Sequence, residues 1–352
     1  MEMIETPDMT RHFFYPFTES QPTQRNDHRS EIADYASAFW RRRKNSVRAK
    51  LQQVSGAGPW ACPDDALICV LVCRNERRFL PSLLKHYRGL GVDRFVVVDD
   101  QSDDGTPDYL AAESDVDLWR SEKRFAESAR GKIWRERLMA LYGFGRWYIN
   151  IDSDEYLVPP CAGITALTDY LRVLKEKGVC RVAAPMIDLY PEGALSEAIF
   201  DGRDGRMPWE IAPLFDAEGY SGIFEDSGAI LRGGVRQRVF GTDMHLMKYP
   251  LIFWDRSCTL GASIHWPTPT SRNVTSEWGI LLHFKVFSDM DERAEAIIEN
   301  GQHMNDAAVY KTIRAHLKDE DEPVLHYDGS VPFSGPADLR RRGFLQSIVT
   351  KN

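Results

Sequence analysis

Long apolar runs are missing from this 352-residue chain, and no stretch approaches the roughly 18–20 apolar residues of a membrane span. Cysteine is sparse as well. Cys62, Cys69, Cys73, Cys161, Cys180 and Cys258 show neither metal-ligand pairing nor a disulfide framework. Basic residues are not in excess: 44 Lys and Arg against 52 Asp and Glu give a formal charge of −8, which argues against a dedicated nucleic-acid binder. No Gly-x-Gly-x-x-Gly follows the first apolar strand, so a dinucleotide-binding dehydrogenase is poorly supported. The opening residues, MEMIETPDMTRHFF, lack the charged-then-apolar order of an export signal. A cytoplasmic protein is therefore expected, with attachment to the inner face of the membrane left open.

What is present is an ordinary globular composition, 43% hydrophobic and 27% charged, enough to build a sizeable core. Residues 31–53 read as a helix containing Arg41-Arg42-Arg43-Lys44, with Tyr35, Phe39 and Trp40 close by. That stretch is either an interfacial segment leaning on anionic lipid or a solvated helix packed on the domain. From residue 66 strands and helices alternate. Residues 66–73 and 94–98 read as buried parallel strands, 79–90 as a helix between them, and 127–141, 165–177 and 289–318 as further helices. Residues 118–120, 146–151, 179–186 and 279–287 read as additional strands. The expected fold is α/β, Rossmann-like, with a mostly parallel sheet and helices on both faces.

In such sheets ligands gather at the carboxyl ends of the strands. Three expected strand ends finish in polar residues suited to a nucleoside diphosphate: Arg74-Asn75-Glu76, Asp99-Asp100-Gln101-Ser102 and Asp152-Ser153-Asp154-Glu155. Asp152 and Asp154, two apart on extended chain, project to one face. Two carboxylates placed together repel unless a divalent cation joins them, and hard oxygen ligands favour Mg²⁺ or Mn²⁺. Asp99 is positioned either to accept the imide N–H of a uracil or to cap its own loop.

The run from Cys73 to Thr106, CRNERRFLPSLLKHYRGLGVDRFVVVDDQSDDGT, resembles the start of glycosyltransferase family 2. Together with GKIWRERLMALYGFGRWYINIDSDEYLV it is more specifically similar to the bacterial branch called glycosyl transferase family 2, subgroup 4. The likeness covers roughly residues 66–312. It implies a GT-A fold over 61–290, an N-terminal extension with a basic helix at 1–60 and a C-terminal helical segment and tail at 291–352. It also implies transfer of a sugar from a nucleoside diphosphate, usually with a divalent metal. Asp99 would then contact the base, and Asp152 and Asp154 would frame the metal and diphosphate. The Gln-x-x-Arg-Trp motif of processive synthases is absent, so transfer of a single sugar to a glycan or lipid-linked acceptor is the expected reaction, and inversion is its expected course.

Other residues are assigned by pattern. His283 and Lys285, two apart in LLHFKVF, face one way: the imidazole suits a third metal position and the ammonium a phosphate. The same run resembles the late His-Phe motif of some retaining GT-A enzymes, in which the His is a metal ligand. His265 competes for that position. Asp188, after the strand at 179–186, is the first choice as catalytic base, with Glu192 and Asp243 as alternatives. Arg130 and Lys132 either reach phosphate or belong to a charged helix surface. Two other classes stay open: a nucleotidyltransferase that makes a nucleotide-sugar, disfavoured because no glycine follows the first strand, and a non-catalytic nucleotide-sugar-binding protein.

Overall fold

A computed structural model describes residues 11–18, 31–302, 307–319 and 323–348. Strand β1 (Arg11–Tyr15) precedes helix α1 (Glu31–Arg48) and strand β2 (Leu51–Ser55). The expected alternation follows as β3 (Ile68–Cys73), α2 (Leu80–Gly89), β4 (Arg94–Asp99), α3 (Thr106–Ala112) and β5 (Val116–Ser121). It continues through α4 (Lys132–Tyr142), β6 (Arg146–Asp152), β7 (Glu155–Val158), α5 (Leu167–Glu176) and β8 (Arg181–Asp188). The looser region holds β9 (Leu214–Asp216), β10 (Tyr220–Glu225), β11 (Gly228–Gly233), α6 (Val235–Phe240) and β12 (Met247–Trp254). Last come β13 (Ile280–His283), α7 (Met290–Asn300), α8 (Ala308–Asp319), β14 (Ser330–Pro332) and α9 (Pro336–Arg341).

Nine strands form the central sheet in the order β2-β5-β4-β3-β6-β12-β8-β13-β7. β5, β4, β3, β6, β8 and β13 run one way, and β2, β12 and β7 the other. The expected mostly parallel α/β sheet is thus present. The sequence dictates it by strict alternation within apolar runs. Cys69, Leu71 and Cys73 pack with the α2 residues Leu80, Leu83, Leu84 and Tyr87 on one face. Ile68, Val70 and Val72 pack with Ile133, Trp134, Leu138 and Met139 of α4 on the other. Each fully buried aliphatic side chain contributes about 1.5–3 kcal/mol, and a strand covered on both sides must be apolar throughout.

Several boundaries differ from expectation for local reasons. The helix read over 31–53 ends at Arg48. Lys50 turns into the left-handed region (φ 48°), and residues 51–55 become β2, the edge strand paired antiparallel with β5. Residues before position 60 therefore share the central sheet, while β1 pairs with β10 in a separate three-stranded sheet. The helix read over 127–141 begins only at Lys132, because Ala129, Arg130 and Gly131 are all left-handed (φ 53°, 58° and 74°). At Gly131 a Cβ would lie 3.1 Å from Val72 and 3.2 Å from Phe125, so glycine suits both the conformation and the contact. The helix read over 289–318 is two helices, the first closed by the left-handed Gly301. Strand β12 was not anticipated. Pro250 inside MKYPLIFW argues against a central strand, and the sheet accommodates it with a register shift between Lys248 and Leu251.

Candidate active site

From β3 the chain steps to β4 and β5 on one side and returns to β6 on the other, so the sheet order reverses between β3 and β6. Ligands bind at such switch points, beyond the carboxyl ends of the strands. Arg74-Asn75-Glu76 follows β3, Asp152 ends β6 and Ser153-Asp154 follows it. His283 closes β13, which runs beside β8, with His283 in register with Asp188. The expected site residues therefore converge on one end of the sheet, although not all in the expected parts.

Asp152 and Asp154 do not form a joint metal pair. Asp152 accepts from Arg135 Nη2 at 2.6 Å and from Lys248 Nζ at 2.7 Å, which engages both its oxygens. Lys248 also reaches Glu155 Oε1 at 2.5 Å. Desolvation opposes ionisation of Asp152, but the Lys248 and Arg135 charges outweigh it and hold the carboxyl well below its usual range. Arg135 is itself locked by the carbonyls of Val70 and Ile151 and by Asn150. With two cations on its oxygens, Asp152 does not fit a metal position.

Asp154 faces a different set. Its Oδ1 lies 3.9 Å from His283 Nε2, and its Oδ2 is ion-paired with Lys285 without a hydrogen bond of good geometry. Burial raises the Asp154 carboxyl, and Lys285 followed by His283 more than reverses that rise. Asp154 Oδ1 and His283 Nε2 are the two donors that would hold a divalent ion here, and they would have to close up on it, since neighbouring ligands of an octahedral ion lie about 3 Å apart. Among the described residues no group of three His, Cys, Asp or Glu donors is assembled. An ion bound by this pair would have two protein ligands and would take its remaining oxygens from phosphate and water.

Asp188 is not open to a cleft as expected of a base. It is 2% exposed; Oδ1 meets His283 Nδ1 at 2.6 Å and Oδ2 accepts from Arg236 Nε at 2.8 Å. Burial raises its pKa, and the Arg236 and His283 contacts bring it below the usual value. A carboxylate on Nδ1 fixes the imidazole and turns Nε2 toward Asp154, the arrangement that commonly stands behind metal-bound histidine. Of the alternatives, Asp243 is exposed and paired with Arg232, and Glu192 is exposed.

Glu76 accepts from Arg293 on α7 at 2.9 Å while its Oε2 is buried without a hydrogen bond. Burial raises its pKa, partly offset by Arg293. Arg74 donates to the Asp100 carbonyl at 2.8 Å, and Asn75, left-handed at φ 54°, ties its loop to Ser102 and Asp103. Asp99 is buried and accepts from Arg120 Nε at 2.9 Å and from the Ser102 amide at 3.2 Å. The loop-capping geometry is therefore present, and a base would reach this carboxylate only by displacing Arg120. Lys132 donates to the carbonyls of Gly261 and Ala262 at 3.0 and 3.1 Å, and Arg130 lies in the left-handed turn before α4. His265 bonds the Met247 carbonyl at 2.9 Å, and burial beside Lys248 lowers its pKa to about 3.

Sequence reasoning missed Arg135, Lys248 and Arg293. Five carboxylates (Glu76, Asp152, Asp154, Glu155, Asp188) face five cations (Arg135, Arg236, Lys248, Lys285, Arg293). Arg236, Lys285 and Arg293 also line a cavity of about 30 Å³ beneath α7 and α8, into which Tyr310 and Met290 project. Arg236 Nη2 is buried there without a hydrogen bond. Such a cluster can release cations to an entering anion while the acids keep it neutral when empty. Of the tryptophans between residues 209 and 278, Trp254 and Trp278 are core, Trp209 packs on Tyr156 and Trp266 stacks on His245.

No family model and no curated protein matches the chain. Among solved structures, a 4-diphosphocytidyl-2C-methyl-D-erythritol synthase is 11% identical with a TM-score of 0.26, covering 80% of this chain and 100% of that one. A UDP-glucose pyrophosphorylase complexed with UDP-glucose is 10% identical with a TM-score of 0.25, covering 77% and 92%. HddC from Yersinia pseudotuberculosis is 14% identical with a TM-score of 0.21, covering 37% and 61%. Likeness at these scores carries no argument about chemistry.

Proposed function

We propose that this chain is a transferase that moves a single sugar from a nucleoside-diphosphate donor, UDP-sugar favoured, to a glycan or lipid-linked acceptor. The observation that carries the reading is the Asp154–His283 pair, backed by Asp188 and flanked by Lys285, at the carboxyl end of a Rossmann-like sheet. A divalent ion held there would offset the charge of the departing diphosphate. Lys285, Arg236 and Arg293 bind and orient phosphate oxygens, exchanging their carboxylate partners for the ligand. Arg135 and Lys248 keep Asp152 ionised and fixed, so it serves as an acceptor for a ribose hydroxyl. Asp99 is the proposed contact of the base. Inversion rested on Asp188 as proton acceptor; its enclosure removes that support, and the proposal covers transfer without a stereochemical course.

Nucleotidyl transfer is the competing chemistry, placing the same cations on a triphosphate. The loop Arg74-Asn75-Glu76 has no glycine to let the backbone close on such a chain. Thermal unfolding with nucleotides, with and without Mn²⁺, tests the proposal. UDP should stabilise the protein more than GDP, only with metal present, and Asp154→Ala should abolish the effect. Release of UDP from a UDP-sugar, dependent on acceptor, completes the case. Pyrophosphate released from a nucleoside triphosphate and a sugar phosphate assigns nucleotidyl transfer instead, and nucleotide binding with no turnover assigns a binding protein.

A further inference from the structure

Helix α1 is held firmly on one side and left apolar on the other. On the inner side Ala38 and Asn45 are buried, and Asn45 hydrogen-bonds Glu136 of α4. Arg41 and Arg42 donate to the carbonyls of Gly261 and Arg256, each at 2.6 Å. On the outer side Tyr35, Phe39, Trp40 and Val47 are 48%, 47%, 66% and 70% exposed. Tyr35, Phe39, Arg43 and Val47 recur every four residues and so form one stripe along the helix. Arg43, Lys44, Arg48 and Lys50 are exposed in the same stretch. Residues 31–50 carry six basic residues (Arg41, Arg42, Arg43, Lys44, Arg48, Lys50) against two acidic ones (Glu31, Asp34), on a chain whose formal charge is −8. Four of the six, Arg43, Lys44, Arg48 and Lys50, are exposed, while Arg41 and Arg42 face inward.

A second observation lies where the helix ends. A cavity of about 460 Å³ opens there, walled by Val47, Leu51, Trp119 and Leu141 and bordered by Lys50 and Arg137. No acidic residue lines it, and neither Lys50 nor Arg137 has an ion-pair partner among the described residues. Apolar walls with two unneutralised cations suit an acyl chain and the phosphate to which it is joined. Aromatic side chains interleaved with Lys and Arg on a helix face suit the headgroup layer, where rings sit between water and hydrocarbon. Folding alone calls for neither feature.

We propose that α1 and the cavity at its end dock this protein on an anionic phospholipid surface. Phe39, Trp40 and Val47 enter the headgroup layer, while Arg43, Lys44, Lys50 and Arg137 face lipid phosphates. The inference does not rest on the transfer chemistry proposed above and is tested separately from it. The full chain is sedimented with vesicles of phosphatidylcholine alone and of phosphatidylcholine mixed with phosphatidylglycerol, at low and high salt. Binding is expected only to the mixed vesicles and should weaken with salt. Arg43→Ser with Lys44→Ser should lower partitioning about 25-fold, roughly fivefold for each basic residue. Phe39→Ser with Trp40→Ser should lower it comparably. These side chains are exposed, so the thermal midpoint should stay at its original value; should a variant unfold, the salt titration of the unaltered protein decides. Equal binding to both vesicles, no binding to the mixed ones at low salt, or unaltered variants would overturn the proposal. So would a dimer abolished by Trp40→Ser, which would give the face to a second copy of the chain.

Discussion

Asp188 lies between a guanidinium and an imidazole, and its value to the site comes from that position. With Oδ2 held by Arg236 and Oδ1 by His283, it sets which imidazole nitrogen faces Asp154. Asp188→Asn removes the charge while keeping the shape. It should raise the Mn²⁺ concentration needed for nucleotide-dependent stabilisation by about 10–100-fold, the usual effect of losing such a support, as read by a metal titration at fixed UDP. A proton acceptor would behave differently: turnover would fall and the metal requirement would stay. Lys285 has a related bearing on the same titration. Its ammonium already sits on Asp154, so metal without nucleotide meets a neutralised carboxylate, and the ion and phosphate should bind together better than either alone.

At the scale of elements, α7 and α8 cover the charged cluster through polar ties. Arg293 of α7 reaches Glu76, and Arg78 pairs with Asp289 just before α7 at 2.7 Å. Arg293→Gln should loosen this cover and remove one phosphate contact. The expected outcome is faster amide exchange across residues 290–300 and about tenfold or more weaker UDP binding, since a hydrogen bond to a charged group contributes about 1.5–3 kcal/mol. Elements of this kind mark the limit of what the sequence made legible. β3, α2 and β4 could be read because an apolar run, a proline near a helix start and a terminal glycine are local signals. Asp154, His283 and Lys285 could be read because strand ends and a two-residue spacing fix their direction. Lys248, Arg236 and Arg293 could not, since each arrives from an element distant in the chain, and β12 hid behind Pro250. Arg135 did leave a trace: it shares a face with Leu138, Met139 and Tyr142, and an arginine on an apolar helix face calls for a buried acid.

Across the whole molecule, histidines set how stability responds to pH. Burial holds His86 and His245 neutral, with pKa values lowered to about 4, and His265 lowered to about 3. The unfolded chain binds protons at these positions below about pH 6.5 while the folded chain does not. These histidines should therefore remove stability as pH drops from about 6.5 toward 4, by at most about 1.4 kcal/mol per pH unit each, partly offset by buried Glu76, Glu136 and Glu155, whose raised pKa values act in the opposite sense. Denaturant titrations at neutral and mildly acidic pH check this, and His265→Asn should flatten the slope. Below about pH 4 Asp152, Asp154 and Asp188, whose pKa values are lowered in the folded chain, add a further loss, because the unfolded chain protonates them first. The antiparallel strand β12 has a consequence of another kind. It is wedged between β6 and β8 although almost a hundred residues separate it from β6 in the chain. While the polypeptide leaves the ribosome, β6 is therefore made long before its neighbour and waits with an open row of amides and carbonyls. Nascent chains halted before residue 247 should be the ones that stick to each other or to a chaperone.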